Sequence, residues 1–106
     1  MAEPFEQQGD DYVAAVLELV ESIPSGRVLS YGDVAELLGR GGPRQVGAVM
    51  SRYGSAVPWW RVLRADGRPP SGHETDALRH YRDEGTATRG ERVDLSVARW
   101  DGPASG

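Results

Sequence analysis

The sequence predicts a mainly α fold, a winged helix-turn-helix with short β-strands, and three observations carry that prediction. Apolar residues recur at helical spacing in four separate stretches. A cappable helix followed by the tight connector Gly39-Arg40-Gly41-Gly42 runs straight into a further helix opened by Pro43. The remaining apolar segments, around Val28-Leu29, Val62-Leu63 and Val93, are short and flanked by turn residues, as the strands of a wing would be.

The first helix is expected over residues 10–23. Tyr12, Val16, Leu19, Val20 and Ile23 recur on one face, Asp10 and Asp11 suit the positive end of the helix dipole, and Pro24 ends it. Ser25-Gly26 turns the chain, and Arg27-Val28-Leu29 reads as a short extended piece. The second helix starts at Ser30, whose hydroxyl caps it with Asp33 in a capping-box-like arrangement. Val34, Leu37 and Leu38 form its buried stripe, and Gly39 suits a left-handed C-terminal position. The third helix runs from Pro43 to about Tyr53. Val46, Val49, Met50 and Tyr53 line one side, while Arg44, Gly47, Ala48 and Ser51, at i, i+3, i+4 and i+7, line the other.

Residues 57–64 are apolar and read as extended, with Ala65-Asp66-Gly67 as a turn. Residues 68–72 form a loop, since paired prolines do not sit in a ladder. A fourth helix is expected over 74–84, with Ala77, Leu78 and Tyr81 inward and Gly85 as terminator. A late strand over 92–97 would turn Val93, Leu95 and Val97 inward. No internal repeat is visible. These elements make one domain over 10–100, between a flexible N-terminus at 1–9 and a flexible tail at 101–106.

The 106 residues include no cysteine, so disulfides, thiolate metal ligands and thiol nucleophiles are excluded. Only His73 and His80 stand as imidazoles, which argues against a metal site. The start of the chain has neither a basic region nor an apolar run, so the expectation is a cytoplasmic protein with no membrane partner.

Net charge is −4, which taken alone argues against nucleic acid, but the charge is unevenly placed. Residues 1–39 hold a single base, Arg27, against many acids. Residues 40–68 hold Arg40, Arg44, Arg52, Arg61, Arg64 and Arg68 against Asp66 alone. A basic block inside an acidic chain reads either as a solvated face or as a phosphate-contacting surface.

Arg44 is the most informative of these arginines. A cation in the first turn of a helix opposes the dipole, and its neighbours Gly47, Ala48 and Ser51 leave a close approach open. Either a broad partner such as a DNA groove passes over this face, or Arg44 is an ordinary solvated arginine, with the small residues packed against the first helix. Trp59 and Trp60 lie side by side after a proline; either both pack in the core, which composition alone favours, or, pointing to opposite faces of an extended segment, one is core while the other lines a cleft suited to a flat aromatic ligand. Arg61 falls on the Trp59 side. His80 and Glu84 are one helical turn apart, a spacing more often a surface ion contact than an acid–base pair. No nucleophile–base pair assembles in the sequence, and no enzyme activity is expected.

These motifs, taken together, resemble the DNA-binding domain of the O6-alkylguanine-DNA alkyltransferases, and in particular their alkyltransferase-like, non-catalytic relatives. Ile23-Pro24-Ser25-Gly26-Arg27-Val28-Leu29-Ser30-Tyr31-Gly32-Asp33-Val34-Ala35 is similar to the start of that domain, and Pro43-Arg44-Gln45-Val46-Gly47-Ala48-Val49-Met50 to its recognition helix. Pro58-Trp59-Trp60-Arg61-Val62 stands where the alkyltransferases carry Pro-Cys-His-Arg-Val, and Glu84-Gly85 resembles their closing Glu-Gly. The tail reaching Trp100-Asp101 resembles the extension of the alkyltransferase-like subfamily.

The resemblance implies a DNA-binding domain in which Tyr31, Arg44, Gly47, Ala48 and Ser51 face the minor groove of damaged double-stranded DNA. Arg44 would fill the stack left by an extruded base, and Tyr31 would press on the target phosphate. Tyr31, Trp59, Trp60 and Arg61 would form the pocket for an alkylated guanine, with the loop 68–73 at its border. Trp59 replaces the alkyl-accepting cysteine, so no alkyl transfer is implied. No cofactor is implied either, and the partners would be nucleotide excision repair proteins, met by a monomer. Trp60 in place of the family histidine and Tyr53 in place of a hinge asparagine are departures. A winged-helix transcription regulator reading a specific sequence is the alternative; it would need polar base-reading side chains where the third helix offers Gly47 and Ala48.

Overall fold

The computed structural model describes the backbone of residues 3–103 and side chains from Asp11 onward; Met1, Ala2 and residues 104–106, the ends of the two segments expected to be flexible, lie outside the described residues. Five helices and four two-residue strands follow one another in the described chain: α1 (Glu3–Ser22), β1 (Leu29–Ser30), α2 (Tyr31–Leu38), α3 (Pro43–Tyr53), β2 (Val62–Leu63), α4 (Glu74–Glu84), β3 (Thr88–Arg89), β4 (Arg92–Val93) and α5 (Leu95–Ala98). Two single 3-10 turns, Gly54–Ala56 and Trp59–Arg61, join α3 to β2. The architecture is mainly α with short strands, as the sequence predicts.

Helix α1 starts at Glu3, well before the expected residue 10. Pro4 falls in the first turn, where its missing N–H has no intrahelical partner to lose, and Gln7 and Gln8 are good helix formers. Among the described side chains the core-facing ones begin at Tyr12, and apolar periodicity places the start of the helix too late.

The capping signals around α2 act as read. Ser30 Oγ accepts the Asp33 N–H at 3.0 Å, and Asp33 Oδ2 accepts the Ser30 N–H at 2.9 Å. Gly39 closes the helix in the left-handed region. Its buried stripe is Val34 and Ala35, whereas Leu37 is 44% exposed, turned away from the core toward Gly102 of the tail.

Two apolar clusters make the core. One joins α1, α2 and α3 through Val16, Val20, Ile23, Val34, Val46 and Val49. The other gathers Val28, Leu63, Ala77, Tyr81, Val93 and Ala98. The parallel pair β1–β2 stands between them, with Leu29 opposite Val62 and Ser30 opposite Leu63. Alternation along a strand sends Leu29 and Val62 to the first cluster and Leu63 to the second.

The wing is the antiparallel hairpin β3–β4. Gly67 holds it to the rest: its carbonyl accepts the Val93 N–H, its φ is +90°, and a Cβ there would lie 2.5 Å from the Val93 carbonyl oxygen. The late strand expected over 92–97 stops at Val93. Asp94 takes the Ser96 N–H and caps α5, so Leu95 is only partly buried and Val97 is 56% exposed. The chain then returns beside β1, where the Trp100 N–H donates to Val28 O. No described helix is long and apolar enough to cross a membrane.

Candidate nucleic-acid interface

Helices α2 and α3 meet across the glycine connector as a helix-turn-helix. Val46 and Val49 anchor α3 in the core, while Arg44, Ala48 and Ser51 are exposed on its far side. A Cβ built on Gly47 meets nothing within 4 Å, so the small residues are not there to pack against α1. Tyr53, expected on the buried side, is 45% exposed and belongs to neither apolar cluster. Arg44 has no ion-pair or hydrogen-bond partner among the described residues.

The capping box sets Tyr31 at the first position of α2, half-buried and packed against the α1–α3 cluster. Burial pushes its phenol above the ordinary value, with the charge of Arg64 opposing, so the hydroxyl stays protonated and able to donate. Beside it opens a cleft of about 520 Å³, within the range of small-molecule sites. Gly47, Met50 and Ser51 of α3, with Gly54 and Ser55, form one wall; Pro70, Ser71, His73 and Asp76 form the other. Tyr31 and Trp59 complete it. Of the residues singled out in the sequence, Tyr31, Gly47, Ser51 and Trp59 therefore line one cleft, and Arg44 and Ala48 stand on the same helix face as Gly47 and Ser51.

Trp60 and Arg61 do not line it. The segment is a 3-10 turn, with the Arg61 N–H donating to Pro58 O, so the two-residue alternation of a strand does not apply. Trp60 turns to α4, where its ring stacks on His80 at 3.6 Å between centroids and 4° between planes. Its indole N–H donates to Glu84 Oε2 at 2.8 Å. Arg61 grips the same carboxylate through Nε at 3.1 Å and a terminal nitrogen at 2.7 Å, and reaches Ile23 O with the other. The Gly26 N–H supplies a fourth donor at 3.0 Å. Tyr81 closes the knot by donating to Trp60 O at 2.6 Å.

Burial alone would raise the Glu84 carboxyl, but the donors from Arg61, Gly26 and Trp60 together hold it below the ordinary value. It is an anion with its acceptors taken, not a base awaiting a proton. His80 stacks rather than pairing with Glu84 across the helical turn. Among the described residues no group of three or more metal-ligating side chains occurs.

The basic block of residues 40–68 divides in space. Arg44 and Arg52 stay on α3, with Arg40 over the Tyr12 ring just before it. Arg61 is spent inside on Glu84. Arg64 and Arg68 turn to Glu74 and Asp66. The cleft residues to which sequence reasoning gave no role of their own, Met50, Gly54, Ser55, Pro70, Ser71, His73 and Asp76, come from the end of α3 and the 3-10 turn after it, and from the loop into α4 and the first turn of that helix. The double proline at 69–70 marked that segment as a loop and the family resemblance set it at the pocket border, but nothing local assigned its side chains.

Residues 11–86 match the family model described as 6-O-methylguanine DNA methyltransferase, DNA binding domain. A DNA base-flipping protein of Escherichia coli is 36% identical over 104 residues, spanning 90% of this chain and 78% of that protein. A methylated-DNA–protein-cysteine methyltransferase of Methanothermobacter thermautotrophicus is 41% identical over 59 residues, 54% of this chain and 33% of that enzyme. Among solved structures, S. pombe Atl1 in complex with damaged DNA containing O6-carboxymethylguanine superposes with a TM-score of 0.74 at 27% identity, over 87% of this chain and 96% of that one.

Proposed function

The chain belongs to the family of the 6-O-methylguanine DNA methyltransferase DNA-binding domain, and on that premise we propose that it binds DNA carrying O6-alkylguanine, turns the damaged base into the cleft beside Trp59, and holds it there without transferring the alkyl group. The observation that carries this reading is the meeting of Tyr31, Gly47, Ser51 and Trp59 at one cleft, next to the exposed Arg44 face of α3. The related base-flipping protein and the Atl1 complex with a carboxymethylated guanine support it.

The physical steps are as follows. The small residues of α3 let the helix come close to the minor groove, and Arg44 enters the stack as the base leaves. Extrusion costs a few kcal/mol, and less for a guanine whose pairing an O6-alkyl group has already weakened, so damage itself lowers the barrier. Tyr31, at the mouth of the cleft, meets the phosphate of the displaced nucleotide with a protonated hydroxyl. Trp59 offers an indole face where a thiolate would otherwise stand; indole is a poor nucleophile at neutral pH, and the sequence contains no cysteine. The bound lesion is then passed on, and the family resemblance names nucleotide excision repair as the recipient.

Binding of a duplex with one O6-methylguanine and of the identical undamaged duplex, compared at matched salt, tests this. The lesion should bind at least about tenfold more tightly. Equal affinities would instead describe a protein that reads sequence or backbone alone.

A further inference from the structure

Arg64 lies outside the cleft, and yet both ends of the cleft's outer wall are fastened to it. Its Nε donates to Pro69 O at 3.0 Å, and its terminal nitrogen reaches Glu74 Oε2 at 3.4 Å. One guanidinium thus spans the start and the end of the loop that carries Pro70, Ser71 and His73 into the cleft. Between those anchor points the loop bonds itself from the His73 N–H to Pro70 O at 3.2 Å, rests the His73 ring 5.4 Å from that of Trp59, and turns the Gly72 N–H to the Glu74 carboxylate, the same group that Arg64 holds.

Arg64 is itself held in place. Its N–H donates to Arg68 O and its carbonyl accepts from the Gly67 N–H, both at 2.9 Å, so the turn aims the side chain at the loop that follows. On its other side its charge acts on Tyr31, the residue at the opposite edge of the cleft. From this geometry we infer that Arg64 is a positioning residue for lesion recognition: by clamping Pro69 and Glu74 it fixes how far the wall of Pro70, Ser71 and His73 stands from Trp59, and thereby how tightly an extruded base is held. The inference rests on the lesion-binding reading above.

The alternative role for an arginine in such a place is a plain phosphate contact, and the two roles separate experimentally. A phosphate contact weakens binding to every duplex alike and lowers the steepness of the salt dependence. A clamp changes the residence of the flipped base. In Arg64→Ala the O6-methylguanine duplex should dissociate about fivefold faster, while affinity for undamaged duplex and the salt slope stay as in the wild type. Arg64→Lys, which keeps the charge but loses the forked geometry, should recover little of that loss.

Amide hydrogen exchange on the free protein tests the clamp without DNA: exchange at residues 71–73 should quicken in Arg64→Ala, with α1 and α3 unchanged. Unaltered exchange at 71–73 would overturn the inference. So would a loss shared equally by damaged and undamaged duplexes. If the wild type shows no lesion preference but the loop loosens, the clamp stands as a structural fact and the lesion-binding reading is what has failed.

Discussion

Trp59 and Trp60 are adjacent in the chain and belong to opposite kinds of site. Trp60 sits in a knot of mutually bonded groups: Glu84 takes four donors, Arg61 spends its guanidinium on Glu84 and Ile23, and Tyr81 bonds the Trp60 carbonyl. Trp59 sits in a cleft whose polar atoms face open space, beside a helix whose leading arginine has no partner among the described residues. A satisfied cluster holds loops together, and an unsatisfied one waits for a ligand. The knot ties the 23–26 turn, the 3-10 turn and α4 into one frame, and the frame fixes where Trp59 stands.

The strongest way to break this comparison is to remove Glu84. Glu84→Ala leaves a largely buried Arg61, 15% exposed, without its counter-ion. Unfolding free energy should drop by about 3 kcal/mol, read by urea denaturation. The pH dependence follows from the same residue. Its folded carboxyl lies below the ordinary 4.5, so its contribution is complete above about pH 4.5 and is lost as pH falls through the lower folded value. Glu84→Gln should flatten the acid limb of the stability profile there.

Arg44→Ala is the counterpart on the open side. It should leave the melting temperature unchanged and weaken binding to DNA about tenfold, measured by fluorescence anisotropy. Gly47 sharpens the point, because the protein itself leaves space at that position. Gly47→Ala should stabilise the helix by about 0.8 kcal/mol. Gly47→Leu should fold equally well and bind DNA more weakly than Arg44→Ala, since its side chain meets only the incoming groove. Smallest of all, Arg79→Ala removes an exposed ion pair with Asp76 at the cleft's far edge and should alter neither stability nor binding measurably.

Which parts were legible in the sequence follows the same division. Ser30 with Asp33, Pro43, Gly39 and Gly85 are local signals, each fixing one helix end through bonds within a few residues, and they place the helix-turn-helix that positions Arg44, Gly47 and Ser51. The Trp59–Trp60 turn was not legible. Its 3-10 course is set by Pro58 and stabilised by Tyr81 and Glu84, more than twenty residues downstream, so strand alternation wrongly put Arg61 on the Trp59 side, and the resemblance wrongly put Trp60 and Arg61 in the pocket. The far wall of the cleft, Ser71, His73 and Asp76, is made only when α4 folds back, and no spacing announces it. Val97 was misjudged for a different reason: the Asp94 cap outweighed the β-branched pattern and made a helix of a predicted strand.

The two tryptophans also supply the most direct test. Let the affinity ratio for O6-methylguanine over undamaged duplex be measured at matched salt in the wild type, in Trp59→Ala and in Trp60→Phe. The wild-type ratio should be at least about tenfold; Trp60→Phe, which loses the bond to Glu84, should melt earlier yet keep that ratio, and Trp59→Ala, which gives up part of its packing on the second cluster, should stay folded with a ratio near one. A ratio that survives in Trp59→Ala, or collapses in Trp60→Phe while the domain remains folded, would contradict the division between a binding cleft and a structural knot.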